Sequence, residues 1–143
     1  KGEHYEGKNL IPGLQNKNLL KKIKGDCIHL IGVFDLKTAN SFGFMLRHSK
    51  KKNGTEIRYD ATKNQISCLG KNAELMPEDN KIKLEILLDR TSLEIFANDG
   101  KLAMSYCFTP EPDMFDVVLY NTGGELFVDK LDVYSLKSIY ELN

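Results

Sequence analysis

The chain has 143 residues, of which 20 are Lys or Arg and 20 are Asp or Glu, so its formal net charge is zero. This length fits one domain, and such a domain can bury about 68–70% of the surface of its unfolded chain. A neutral chain offers no electrostatic reason to expect nucleic acid or an anionic membrane as a partner. No apolar run is long enough for a membrane-spanning helix.

The start of the chain is polar and contains Gly and Pro. We expect a connector and lead-in strand over residues 1–20, followed by one module over residues 21–143. Lys1 stands first, without a Met or a signal peptide, which indicates a piece of a longer protein or a chain whose signal peptide has been removed.

Three cysteines, an odd number, are spread along the chain without a C-x-x-C pair, which excludes a zinc ribbon or a thioredoxin motif. We expect all three to be buried thiols that act as small hydrophobes. One disulfide with one free thiol is the alternative. These cysteines are Cys27, Cys68 and Cys107.

Short runs with apolar residues at every second position begin near residue 28 and predict strands. The first two runs each place one apolar set on a single face: Ile28, Leu30, Phe34 and Leu36, then Phe42, Phe44 and Leu46. Asn53-Gly54 within KKKNG is the strongest hairpin signal of the chain. Beyond it, EIRYDA and QISCLG read as strands on either side of the turn DATKN.

The segment LEILLDRTSLEIFANDG, residues 84–100, predicts a meander, because two alternating runs flank the turn DRTS and end at the tight turn NDG. KLAMSYCF supplies the third strand. The inward sets are Leu84, Ile86 and Leu88, then Leu93, Ile95 and Ala97, then Leu102, Met104, Tyr106 and Phe108. With the strands around NTGG, about ten short strands and no convincing helix are typical of an all-β sandwich or barrel.

Four segments in order resemble the C-terminal β-sandwich of glycoside hydrolase family 32, the invertase, inulinase and levanase family. DRTSLEIFANDG is similar to its D-R-S-x-x-E-x-F-x-N-D-G signature, and FGFMLRHS, IRYDATKNQIS and VDKLDVYSLKSIY are similar to neighbouring strands. Tyr140 stands where Trp is usual. The resemblance covers residues 25–140 and implies an antiparallel two-sheet β-sandwich of the jelly-roll or concanavalin-like kind.

The family resemblance also implies that catalysis takes place in another domain of the parent protein. In this family a β-propeller precedes the sandwich and carries the catalytic carboxyl groups in sequence motifs like W-M-N-D-P-N-G, R-D-P and E-C. None of these motifs occurs here, and the chain has no Trp. Since glycoside hydrolysis needs two positioned carboxyl groups, we expect this chain alone to be non-catalytic. Its parent is expected to be a β-fructosidase-type glycoside hydrolase, with extracellular or periplasmic location favoured by the resemblance alone.

The expected partner is therefore the catalytic propeller of the same parent chain, which the sandwich would pack against and stabilise. A related sandwich, carbohydrate-binding module family 66, grips terminal fructose, so recognition of levan- or inulin-type fructans is the alternative. The candidate sugar-binding residues offer charged or amide groups for vicinal hydroxyls: Arg47, Glu56, Arg58, Asp60, Glu94 and Asn98.

The alternative for each of these residues is a solvated strand face with cross-strand ion pairs. Asp89 and Arg90 are more simply explained as residues that stabilise a turn, with Asp89 accepting hydrogen bonds from backbone N–H groups. His4, His29 and His48 are far apart and lack a second ligand at metal spacing, so we expect no metal or other cofactor. No G-x-S-x-G word is present, which speaks against a nucleophilic serine.

Overall fold

The computed structural model describes residues 4–10, 27–48, 55–89, 91–107 and 116–135. Within these ranges the chain forms eleven strands and no helix, so this part of the molecule offers no helix that could cross a membrane. The strands are β1 His4–Leu10, β2 Ile28–Asp35, β3 Ser41–His48, β4 Thr55–Asp60, β5 Gln65–Cys68, β6 Lys71–Glu74, β7 Lys81–Leu88, β8 Ser92–Ala97, β9 Leu102–Cys107, β10 Asp116–Thr122 and β11 Phe127–Ser135.

The strands form two antiparallel sheets. One has six strands in the order β1-β11-β2-β7-β8-β9, and the other has five in the order β10-β3-β4-β5-β6. Strands β7, β8 and β9 are neighbours in both sequence and space, which confirms the predicted meander. The prediction of an antiparallel two-sheet β-sandwich is therefore confirmed.

The core lies between the two sheets and is built by the period-two alternation of the sequence. Strand β2 alternates strictly between buried and half-buried residues, and β8 does the same. An aromatic contact joins the sheets, since Phe34 of β2 lies 4.7 Å from Phe42 and 5.7 Å from Phe44 of β3 between ring centroids. All the apolar sets predicted inward from Ile28 to Ala97 are buried.

The third strand of the meander, β9, also directs every second side chain into the core. Met104 and Tyr106 are buried, and Leu102 packs against the core from its edge. Phe108, predicted on the same face, lies outside the described residues, as does the predicted hairpin turn Asn53-Gly54.

Part of the segment assigned to a connector and lead-in strand lies within the six-stranded sheet. His4–Leu10 forms the edge strand β1, which pairs with β11 from His4 opposite Tyr134 to Leu10 opposite Val128. Residues 11–26 lie outside the described ranges, so the division at residue 20 stays a prediction.

Candidate functional site

The outer face of the five-stranded sheet carries three of the predicted sugar-binding residues on one strand. Glu56, Arg58 and Asp60 alternate along β4 with Ile57 and Tyr59, which are buried in the core. The three polar residues therefore project away from the core. Arg47 lies on the neighbouring strand β3, which pairs with β4.

A glycine in β3 shapes this face. Gly43 lies directly between Tyr120 of β10 and Arg58 of β4 in the sheet register. A Cβ atom at Gly43 would clash with the Ile57 carbonyl oxygen and would lie 2.9 Å from the Tyr120 hydroxyl. The missing side chain leaves room for the Tyr120 hydroxyl, which donates a hydrogen bond to Glu56 Oε2.

Tyr120 is held as a neutral phenol. Burial raises its pKa above the usual tyrosine range, and the hydrogen bond to Glu56 and the charge of that carboxylate raise it further. Sequence reasoning missed both Tyr120 and Gly43. The available signal was a glycine inside the strand pattern F-G-F, because a strand glycine often marks close approach of another group.

Asp60 and Arg58 already have partners, Asp60 in the turn after β4 and Arg58 on the neighbouring strand β3. Asp60 Oδ1 accepts hydrogen bonds from the Thr62 backbone N–H at 2.9 Å and from Thr62 Oγ1 at 2.5 Å, which closes the turn between β4 and β5. The bond from the Thr62 side chain is the main reason that the pKa of Asp60 is lowered. Asp60 is thus an ionised turn residue. Arg58 Nη2 lies 3.5 Å from the hydroxyl of buried Ser41.

Glu94 and Asn98 belong to the other sheet. Glu94 is half-buried on β8, between the buried residues Leu93 and Ile95, so it projects from the outer face of the six-stranded sheet. That face is on the opposite side of the sandwich from Arg58. The structure therefore does not bring Glu94 together with the polar residues of β4.

Asn98 is only 4% exposed and has a φ of 49°, a left-handed conformation. Its Oδ1 accepts from the Lys83 backbone N–H, and its Nδ2 donates to the Met76 carbonyl oxygen, both at 3.0 Å. The side chain predicted to meet a sugar thus joins three parts of the backbone: the turn after β8, strand β7 and the segment before β7.

A pocket of about 320 Å³ opens on the outer face of the six-stranded sheet. We call it the Phe96 pocket; its lining residues are Lys83, Glu85, Phe96, Asp99 and Gly100. Lys83 Nζ lies 2.6 Å from Asp99 Oδ1, and Glu85 Oε2 lies 2.8 Å from Nε2 of the neighbouring His29. Sequence reasoning placed Phe96 on this face with Glu94 but missed the β7 residues, because strand pairing across the turn decides which side chains adjoin it.

The cysteines differ from expectation at one position. Cys27 and Cys68 are buried thiols, as expected, but Cys107 is exposed on the edge strand β9. Cys107 has outward parity on that strand, since Met104 and Tyr106 occupy the inward positions. The expectation of a third buried thiol was therefore wrong. Among the described residues no group of three His, Cys, Asp or Glu side chains is arranged to hold a metal ion.

Comparisons with known proteins agree on one family. The family model described as "Glycosyl hydrolases family 32 C terminal" matches residues 2–135. A levanase of Bacillus sp. (strain L7) is 32% identical over 146 residues, covering 90% of this chain and 16% of that levanase. A levanase of Bacillus subtilis (strain 168) is 28% identical over 158 residues, covering 98% of this chain and 23% of that protein.

The fold is also similar to that of a solved enzyme. The crystal structure of exo-inulinase from Aspergillus awamori matches with a TM-score of 0.76 and 25% identity, covering 95% of this chain and 29% of the inulinase chain. The chain therefore spans only a minor part of the length of each of these relatives.

Proposed function

This chain belongs to the C-terminal domains of glycosyl hydrolases family 32, and on that basis we propose that it packs against the catalytic β-propeller of its parent polypeptide and stabilises it. The module itself carries out no hydrolysis in this proposal. Most of the length of its levanase relatives lies outside the region that it matches, which leaves a large domain for it to pack against.

The observation that carries the proposal is an exposed leucine in a costly conformation. Leu69 is 51% exposed and has a φ of 48°, at the tip of the hairpin between β5 and β6. A left-handed conformation costs an L-residue such as leucine about 1–2 kcal/mol, and Asn or Gly would fit this turn better. The exposed side chain offsets little of that cost within the module, and such strain is often retained where a segment makes a functional contact.

The hairpin tip is held in place by contacts to the six-stranded sheet. The Tyr106 hydroxyl of β9 donates to the Cys68 carbonyl oxygen at 2.9 Å, and Lys71 Nζ lies 5.3 Å from the centroid of the Tyr106 ring. An apolar anchor on a pre-positioned loop loses less freedom on docking than one on a loose loop. This bracing supports a role for Leu69 in contact with another domain.

A second exposed apolar residue lies beyond β6. Met76 is 56% exposed, and its carbonyl oxygen accepts the hydrogen bond from Asn98, which lies in the turn before β9. Leu69 and Met76 thus flank β6, at the side of the sandwich where the edge strands β6 and β9 adjoin. We propose this Leu69–Met76 side as the surface that meets the propeller, because Leu69 and Met76 are two of the three large apolar residues that are exposed in the described part of the chain.

The test uses Leu69→Asn in the isolated 143-residue chain and in the full-length parent. Asn relieves the backbone cost, so the melting temperature of the isolated chain should rise. In the parent it should fall, because the anchor is lost. Leu69→Met keeps an apolar side chain and an L-residue that is costly in the left-handed conformation. It is the matched control and should change the melting temperatures of the isolated chain and of the parent little. A rise of equal size in both proteins would contradict packing through Leu69.

Recognition of a terminal fructose is the second candidate function, and the Phe96 pocket is the observation that favours it. Glu56 and Arg58 on the outer face of β4, which were predicted together with Arg47 and Asp60, offer a rival surface on the five-stranded sheet. The two surfaces lie on opposite sides of the sandwich, so substitutions can separate them.

A further inference from the structure

We propose that the Phe96 pocket binds a single neutral sugar residue, whose apolar face lies against the Phe96 ring and whose hydroxyl groups meet the flanking charged side chains. This inference rests on the second candidate function and gives it a site. It does not depend on packing against the propeller.

The pocket has the size of a small-ligand site. Its volume of about 320 Å³ lies at the lower end of the range of about 300–1,000 Å³ found for ligand pockets. Gly100 borders it with a φ of 84°, and a Cβ atom built there would meet no heavy atom within 4 Å. No side chain of the described residues therefore fills the space beside Gly100 at the border of the pocket.

Phe96 supplies an apolar wall that the core does not use. Its neighbours Ile95 and Ala97 are buried between the sheets, whereas Phe96 has outward parity and is only partly buried. One face of a sugar ring presents C–H groups, and these pack well against an aromatic face at modest cost in ordering. A single partly exposed Phe needs no explanation alone; its place in a pocket with charged walls points to a ligand of mixed polarity.

The charged residues of the pocket are paired with neighbouring side chains. Asp99 uses Oδ1 in its ion pair with Lys83, and Glu85 uses Oε2 in its contact with His29. The second oxygen of each carboxylate takes no part in these two contacts. The hydrogen bond from Lys83 lowers the pKa of Asp99, and the same bond raises the pKa of Lys83, so both groups stay charged around neutral pH.

This set of groups suits a neutral polyol. Sugar hydroxyls both donate and accept, so they can give a hydrogen bond to a free carboxylate oxygen and take one from the lysine ammonium. Two carboxylates with one ammonium in the lining disfavour an anionic ligand such as a phosphorylated sugar. Solvent competes with every one of these bonds, so the affinity should be weak.

The experiment maps binding of fructose, glucose and levan to the 143-residue chain by amide chemical shifts and calorimetry. Millimolar fructose should shift amides of β7, β8 and the turn at residues 98–100. Phe96→Leu keeps the residue apolar without the ring, and Glu85→Gln can keep the contact with His29. Each should weaken fructose binding about fivefold or more, because Phe96→Leu removes the ring that packs against the sugar and Glu85→Gln removes the charge that strengthens a hydrogen bond from a hydroxyl group.

The controls lie on the opposite face. Arg58→Ala and Glu56→Gln should leave the affinity unchanged, and circular dichroism should show an intact fold for all four variants. Loss of binding in Arg58→Ala with retention in Phe96→Leu would move the site to the five-stranded sheet and overturn the proposal. Absence of shifts and heat with all three sugars would overturn it as well, without touching the packing proposal, which depends on Leu69 and the parent enzyme.

Discussion

Residues in the left-handed region define the tight turns of this molecule. Asn98, Asp99 and Gly100 have φ values of 49°, 60° and 84°, as expected for the NDG turn, and Asn64 ends the predicted DATKN turn with a φ of 51°. Asn, Asp and Gly tolerate this region best, which is why these turns could be predicted from sequence. Leu69 shares the conformation without sharing the chemistry, so its turn could not be predicted from residue type.

Buried weak acids should make the protein sensitive to alkali. Burial raises the pKa of the Cys68 thiol to about 11, and raises that of Tyr106 to about 12. The folded chain then holds protons that the unfolded chain has lost, and the free energy of unfolding falls wherever this is so. Stability is complete below the unfolded pKa values of about 8.5 for Cys and about 10 for Tyr, and declines as the pH rises through the folded values.

Urea unfolding midpoints measured from about pH 7 to about pH 11 test this prediction. We expect a falling midpoint above about pH 9, and a shallower fall in Cys68→Ala. Cys107→Ala removes the exposed thiol on β9 and is the matched control, whose midpoint should fall as that of the unsubstituted 143-residue chain does. A flat midpoint across this pH range would contradict the account of these groups.

At the scale of elements, the β7–β9 meander should not tolerate loss of its inward side chains. Ile95 is 1% exposed and pairs with Ile86 and Met104 on the adjacent strands. Ile95→Ala should lower the free energy of unfolding by about 2–5 kcal/mol. Glu94→Ala, on the outward side of the same strand, should change it by less than about 0.5 kcal/mol.

Gly100 tests the turn of the same meander. Gly100→Val should destabilise through the backbone, because the glycine has a φ of 84° and a Cβ atom there meets nothing within 4 Å. The expected cost is about 1–2 kcal/mol. Chemical denaturation measures both substitutions, and unchanged midpoints for Ile95→Ala and Gly100→Val would mean that the hairpin is misplaced.

Local patterns predicted most of the strands, but they gave no bounds for the lead-in strand within residues 1–20, whose pairing is non-local. Alternation alone identified β2, β3, β7 and β8, because each buries one face in the core. The sequence HYEGKNL of β1 has no apolar alternation, and its strand is defined by pairing with β11, more than a hundred residues away. The seven residues of β1 contain no pattern that indicates this pairing.

The sandwich has two outer faces, one on each sheet, and the sheet to which a residue belongs decides which candidate site it can join. Alternation indicates whether a residue faces the core or the solvent, but it does not indicate on which sheet the strand lies. Glu94 and Arg58 were predicted as parts of one site because both face outward in segments that resemble one family. The sandwich places them on opposite faces. The same partition brings together Lys83 and Phe96, which no sequence pattern links.

The central claim is that this module stabilises a catalytic domain without taking part in the chemistry. Fructose released from sucrose, inulin and levan after heating is the most direct measurement, made on the full-length parent, on the parent lacking residues 1–143 of this chain, and on the isolated chain. We predict that the shortened parent keeps the hydrolytic activity of the full-length parent but is inactivated at a lower temperature, and that the isolated chain releases no fructose above a buffer control. Equal heat resistance of the two parent forms, or turnover by the isolated chain, would contradict the claim.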